Sequence, residues 1–136
     1  MVEDQSAGEL LTIARKFFDS MTGQDWAAVR SMATDDIVWT MPGTSRISGT
    51  VVGKEALIER VRRVAAAGVT MRKIELVHML VGRTGVTMFM HNSAQAEDGR
   101  KLEEHLASVY AIQNGKVTGI DTFVTDLKGV NDFFIK

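Results

Sequence analysis

Apolar residues recur at helical spacing through the first half of the chain and at every second position through the last half. Leu10, Ile13, Ala14, Phe17, Phe18 and Met21 share one face of a helix. Ser6-Ala7-Gly8-Glu9 fits a capping box at its start and Gly23 a C-terminal stop. Asp25 is placed to cap a second, shorter helix that carries Trp26, Val29 and Met32. After a break at Asp35-Asp36, the run Ile37 to Met41 reads as a short buried strand ended by Pro42-Gly43. Thr44 to Val52 reads as a loop. A third helix begins at Gly53, with Ala56, Leu57, Val61, Val64 and Ala65 on its apolar face, and Gly68 closes it. Arg60, Arg62 and Arg63 are assigned to its solvated side.

From Val69 the period changes to two, and four strands are expected at about 69–81, 85–97, 101–113 and 116–126. Asn114-Gly115 is a type I′ hairpin signal, because both residues tolerate positive φ. Consecutive tight turns make an antiparallel meander, and helices followed by strands indicate α+β. Alternation then assigns faces. Ile74, Leu76, His78 and Leu80 are expected inside, opposite Lys73 and Glu75. Val86, Met88, Met90, Asn92 and Ala94 are placed inside, which leaves Phe89 and His91 outside. Leu102, Glu104, Leu106, Ser108, Tyr110 and Ile112 are placed inside and His105 outside. No arginine falls on these inward faces. The last strand has two phases: Thr118, Ile120, Thr122, Val124 and Asp126 inside, or Val117, Gly119, Asp121 and Phe123. A slip of one residue exchanges them.

Composition narrows the class. A chain of 136 residues is read as one domain, 1–136, with a core that needs no staples. The absence of cysteine removes disulfides, thiolate nucleophiles and Cys-ligated metals. A net charge of −1 gives no general attraction to nucleic acid or to an anionic membrane. Met1-Val2-Glu3-Asp4 lacks the basic and apolar regions of a signal peptide, and no apolar run reaches spanning length, so a cytoplasmic location is expected. Four of the eight methionines, Met71, Met79, Met88 and Met90, cluster in strand segments, where they fill core or adapt to apolar ligands. The outer sheet face is itself rather apolar (Phe89, Ala107, Val109), and a homodimer across it is expected.

Several strings then resemble the SnoaL-like and ketosteroid-isomerase-like branches of the nuclear transport factor 2-like superfamily. They are Phe17-Phe18 followed by Thr22-Gly23-Gln24-Asp25-Trp26, Thr34 to Trp39, Pro42-Gly43, Ser48-Gly49, Gly53-Lys54-Glu55-Ala56, and Asn114 to Val117 with Phe123 and Asp126 beyond. The resemblance covers about residues 8–130. It implies a cystatin-like, cone-shaped α+β fold: a curved antiparallel sheet wrapped around three N-terminal helices, open at one end and often dimeric. It leaves the activity open, since fold is not function.

The chemistries known in that superfamily select among the residues. Aligned without gaps, the proton-transfer carboxylate of the ketosteroid isomerases falls at Met41, their Tyr at Phe17 and their protonated Asp at Ser108, so that mechanism is absent. The epoxide-hydrolase branch needs an Asp-Arg-Asp set, and its last-strand carboxylate lands on Thr122. SnoaL-like cyclases move protons with an acid and a histidine. The ingredients here are His78 as shuttle and Asp121 or Glu104 as partner. His78 is otherwise a satisfied core histidine, Asp121 a solvated strand residue and Glu104 a hydrated rim carboxylate. Phe17, Trp39, Met41, Met88, Met90 and Tyr110 are expected as walls. Asn92, Ser108, Tyr110 and Thr122 are expected to hydrogen-bond a carbonyl oxygen. Asp126 is given a local backbone-capping role. No cofactor and no metal are expected, the three histidines being split between two faces. The reading is an apolar small-molecule site, either a cofactor-independent cyclase or isomerase, a non-catalytic binding or dimerisation module, or an enzyme adding water to an epoxide.

Overall fold

The computed structural model describes residues 5–66 and 68–134. Met1 to Asp4 and the side chain of Met71 lie outside this description. Helix α1 (Ala7–Thr22) begins where Ser6 accepts the Glu9 amide at 3.1 Å, and α2 (Trp26–Met32) where Asp25 accepts the Ala28 amide at 3.2 Å. Strand β1 (Ala33–Met41) starts four residues earlier than Ile37. It carries Asp35 and Asp36 across a register irregularity, where they face outward and exposed. The stretch Thr44 to Val52 is not all loop: Gly49–Val52 forms strand β2, antiparallel to β1. Gly53, at φ 101°, makes the sharp entry into α3 (Lys54–Ala65).

Four long strands follow: β3 (Val69–Val81), β4 (Gly85–Ala96), β5 (Lys101–Gln113) and β6 (Lys116–Val124). Asn114 and Gly115 both take positive φ between β5 and β6, as a type I′ turn requires. The sheet order is β2-β1-β6-β5-β4-β3, antiparallel except where β1 runs parallel to β6. The register skips one residue at Val77 of β3 and one at Thr118 of β6, and these bulges accompany a strongly curled sheet, since a bulge bends and twists its strand. A fourth helix, α4 (Leu127–Phe133), follows, and Asp126 caps it by accepting the Gly129 amide at 2.8 Å.

The curl wraps the three N-terminal helices on its concave side. Buried apolar residues form two clusters: Leu10, Phe17, Ile37, Leu57, Met88 and Ile112 belong to one, and Ile47, Val64, Leu102, Val130 and Phe133 to the other. Trp39 packs against both. No helix of the described residues is long and apolar enough to cross a membrane.

Candidate functional site

A cavity of about 510 Å³ opens on the concave side of the sheet. That is the size of an ordinary small-molecule site. Trp39 and Met41 of β1, Phe18 and Met21 of α1, and Val61 and Val64 of α3 contribute to its walls. Ile47, Val130 and Phe134 also line it. The segment before β2 is fixed to α4: Asn131 Oδ1 accepts the Thr44 amide at 2.8 Å, and the Phe134 carbonyl accepts the Arg46 amide at 3.2 Å.

The sheet supplies the polar groups in rows. Ile74, Asn92 and Glu104 are cross-strand neighbours on β3, β4 and β5, and Ser108 faces Thr122 on β5 and β6. Glu104 is 6% exposed and carries the only carboxylate among the residues that line the cavity. Burial pushes its pKa above the ordinary 4.5, and the neighbouring Asp126 charge adds to the rise. Hydrogen bonds from the Asp126 and Thr125 backbone oppose it, the first at 3.3 Å to Oε1. A carboxyl shifted upward this way is closer to the operating range of a general acid or base.

Thr122 Oγ1 accepts the Trp39 indole N–H at 3.0 Å and lies 2.9 Å from Ser108 Oγ. Two hydroxyls bring two hydrogens, and their mutual bond uses one. The other remains, on Ser108 or Thr122, for an oxygen in the cavity. Tyr110 also lines the cavity, with its ring edge-on to Phe17 at 5.4 Å, and burial pushes its phenol upward, so it stays neutral.

Of the expected site residues, Trp39, Met41, Met90, Asn92, Glu104, Ser108, Tyr110 and Thr122 line this cavity. Phe17 and Met88 do not: both are fully buried in core packing behind it. His78 is exposed and points outward. Leu76 pairs with Met90 but His78 pairs with Phe89, so the bulge at Val77 moves His78 to the outer face and turns Met79 inward. Asp121 also faces outward, because β6 takes the phase that buries Ile120 and Thr122. The structure therefore separates both residues from Glu104.

All three histidines share the outer face, not two faces as expected. Their rings form a ladder with Phe89: His78 to Phe89 at 6.2 Å, Phe89 to His105 at 5.4 Å, and His105 to His91 at 4.9 Å. Among the described residues, no group of three or more His, Cys, Asp or Glu is arranged to hold a metal.

Two arginines lie where none was expected. Arg60 is 4% exposed and donates to the Trp39 carbonyl at 3.2 Å and the Gly49 carbonyl at 2.9 Å, with its guanidinium 5.1 Å from the Trp39 ring centroid. It stands three residues after Leu57 and four before Val64, on the apolar stripe, and that spacing was the available signal. Arg72 lines the cavity from β3. Extending the Ile74–Leu76 phase two residues back would have placed it inward.

Residues 14–120 match the family described as the SnoaL-like domain. The chain belongs to the SnoaL-like domain family. The SnoaL-like fold is shared with solved structures. Bal32a, from a soil-derived mobile gene cassette, is 23% identical with a TM-score of 0.86, over 94% of this chain and 98% of that one. An NTF2-like protein from Burkholderia xenovorans LB400 is 20% identical with a TM-score of 0.80, over 96% and 98%. TerC, co-crystallised with polyporic acid, is 12% identical with a TM-score of 0.78, over 92% and 98%. At these identities the likeness is one of fold. No curated protein matches this SnoaL-like sequence.

Proposed function

We propose that this SnoaL-like protein is a cofactor-independent acid/base enzyme of the isomerase or cyclase type, acting on an apolar carbonyl compound with Glu104 as its proton carrier. The observation that carries this reading is a single buried carboxyl, with its pKa raised, inside a largely apolar cavity. In its ionised form Glu104 takes a proton from the carbon next to the carbonyl. The C–H electron pair moves into the new C=C bond, and negative charge develops on the carbonyl oxygen. The spare hydroxyl hydrogen of the Ser108–Thr122 pair supports that charge. In a β,γ-unsaturated ketone the product is a dienolate, and return of the proton from Glu104 to its γ carbon completes an isomerisation; alternatively the enolate carbon attacks a second carbonyl, whose oxygen takes the proton from Glu104 as the ring closes.

His78 and Asp121 have no part in this version, since both face outward. Water addition to an epoxide has less support: Arg72 and Glu104 line the same cavity but form no ion pair, and Thr122 stands where a second carboxylate would be needed. The test is exchange of the protons beside the carbonyl of 2-tetralone in D2O, followed by NMR. The native protein is expected to accelerate exchange, and Glu104→Gln to reduce it about 100-fold, the lower end of what a positioned general base contributes. Equal exchange by the two proteins would overturn the role given to Glu104.

The lack of an inward histidine favours a second reading, a non-catalytic binder of apolar ligands. It expects ligand binding with no exchange by either protein. TerC, crystallised with polyporic acid, supports small-molecule occupancy of this fold under both readings. We also propose that two copies pair through the outer sheet face, where Phe123 is 57% exposed beside Val109. Sedimentation is expected to show a dimer that Phe123→Arg converts to monomer; an unchanged sedimentation coefficient would remove that face from the contact.

A further inference from the structure

Arg72 is the cavity group that proton transfer leaves unexplained. It projects from β3 beside Ala94 of β4, whose next neighbour is Leu102 of β5, so its own row of the sheet is otherwise apolar. Its side chain is accessible to solvent yet surrounded by protein on most sides, the situation of a group that projects into an open cavity. Burial draws its pKa down, but a guanidinium does not give up its proton in a protein. Among the described residues no carboxylate pairs with its charge. Glu104 shares the cavity, but no ion pair joins the two, and neither charge contributes to the other's shift. No acceptor for the guanidinium occurs among the described residues.

A second observation lies on the adjacent strand. Asn92 sits diagonally from Arg72 on the same inward face, within reach of a long side chain. It is 5% exposed, it lines the cavity, and its Oδ1 is buried without a donor. A buried amide oxygen left unpaired is destabilising, so such atoms ordinarily have a partner. A planar cationic fork and an orphan acceptor therefore stand side by side at one end of an apolar container.

We infer that the cavity takes an apolar carboxylic acid, its carboxylate on the Arg72 guanidinium and a hydroxyl of the same ligand donating to Asn92 Oδ1. The inference rests on the cavity being a small-molecule site and names the class of molecule it selects. Two N–H donors of a guanidinium match two carboxylate oxygens, which gives orientation as well as affinity. The hydrocarbon body then passes Glu104, which pairs with Asn92, and lies along Met90 and Leu106 toward the Ser108–Thr122 pair.

Calorimetric titration with 2-naphthoate and its neutral isostere 2-acetylnaphthalene tests this. The native protein is expected to bind the acid at least about tenfold more tightly than the ketone. Arg72→Gln keeps a polar side chain of similar reach without the charge. It is expected to abolish that preference while leaving affinity for the ketone unchanged, which also shows that the variant is folded. Equal affinities in the native protein, or a preference that survives in Arg72→Gln, would overturn the inference and leave the container reading standing. Absence of binding by either compound would overturn the container reading itself.

Discussion

The polar groups of the cavity differ in how they are held. Thr122 is the most committed of them: one oxygen serves the Trp39 indole and the Ser108 hydroxyl. Thr122→Val keeps the shape of the side chain but removes both interactions, leaving an indole N–H in a buried wall with no acceptor. It is expected to destabilise the protein by about 1–3 kcal/mol in urea unfolding, the usual cost of stranding a buried polar group. An unchanged unfolding midpoint would show that the pair has no structural weight. Glu104 acts in the opposite direction. Its folded pKa lies above the unfolded value, so the folded protein holds that proton more tightly. Its contribution to stability is complete below the unfolded pKa and is lost as pH rises through the folded one.

At the level of elements, α4 forms part of the cavity wall, and its first turn depends on Asp126. The same residue offers its backbone amide to Glu104 and its side chain to Gly129, so cap and site are joined. Asp126→Ala is expected to lower stability by about 1 kcal/mol, a typical loss for a capping side chain, read as a lowered Tm. No change in Tm would mean that α4 is held by Val130 and Phe133 alone. The strands β4 and β5 were legible in the sequence because alternation runs unbroken along both. Strand β3 was legible only as far as Leu76. One unpaired residue, Val77, reverses the phase beyond it, and nothing in the local composition marks the bulge, so simple alternation places His78 inside although it faces outward. The last strand was ambiguous because both of its faces carry apolar residues, and pairing with β1 and β5 settles what its own pattern does not. Strand β2 and helix α4 are short, and each depends on long-range partners that a local pattern does not show. The spacing of Arg60 and Arg72 points inward, against the ordinary placement of charged residues in solvent.

For the molecule as a whole, the sheet has two distinct faces. The concave face, with the helices, encloses an apolar cavity that holds one carboxylate and one unmatched guanidinium; the outer face carries the ladder of histidine and phenylalanine rings. The family fixes this architecture, and the particular side chains on the concave face decide what it does. An ungapped comparison expects the three ketosteroid-isomerase groups at Met41, Phe17 and Ser108, where this sequence carries none of them, whereas Glu104 of β5 lines the cavity. The proposal for the protein therefore depends on whether Glu104 is the enclosed, proton-retaining acid that its surroundings make it. Titration of its side-chain carboxyl by 13C NMR in the intact protein, with Glu104→Gln identifying the resonance, tests this directly. The expected midpoint lies above the ordinary 4.5 of a glutamate; a midpoint at or below that value would contradict an enclosed acid and remove the basis for proton transfer in the cavity.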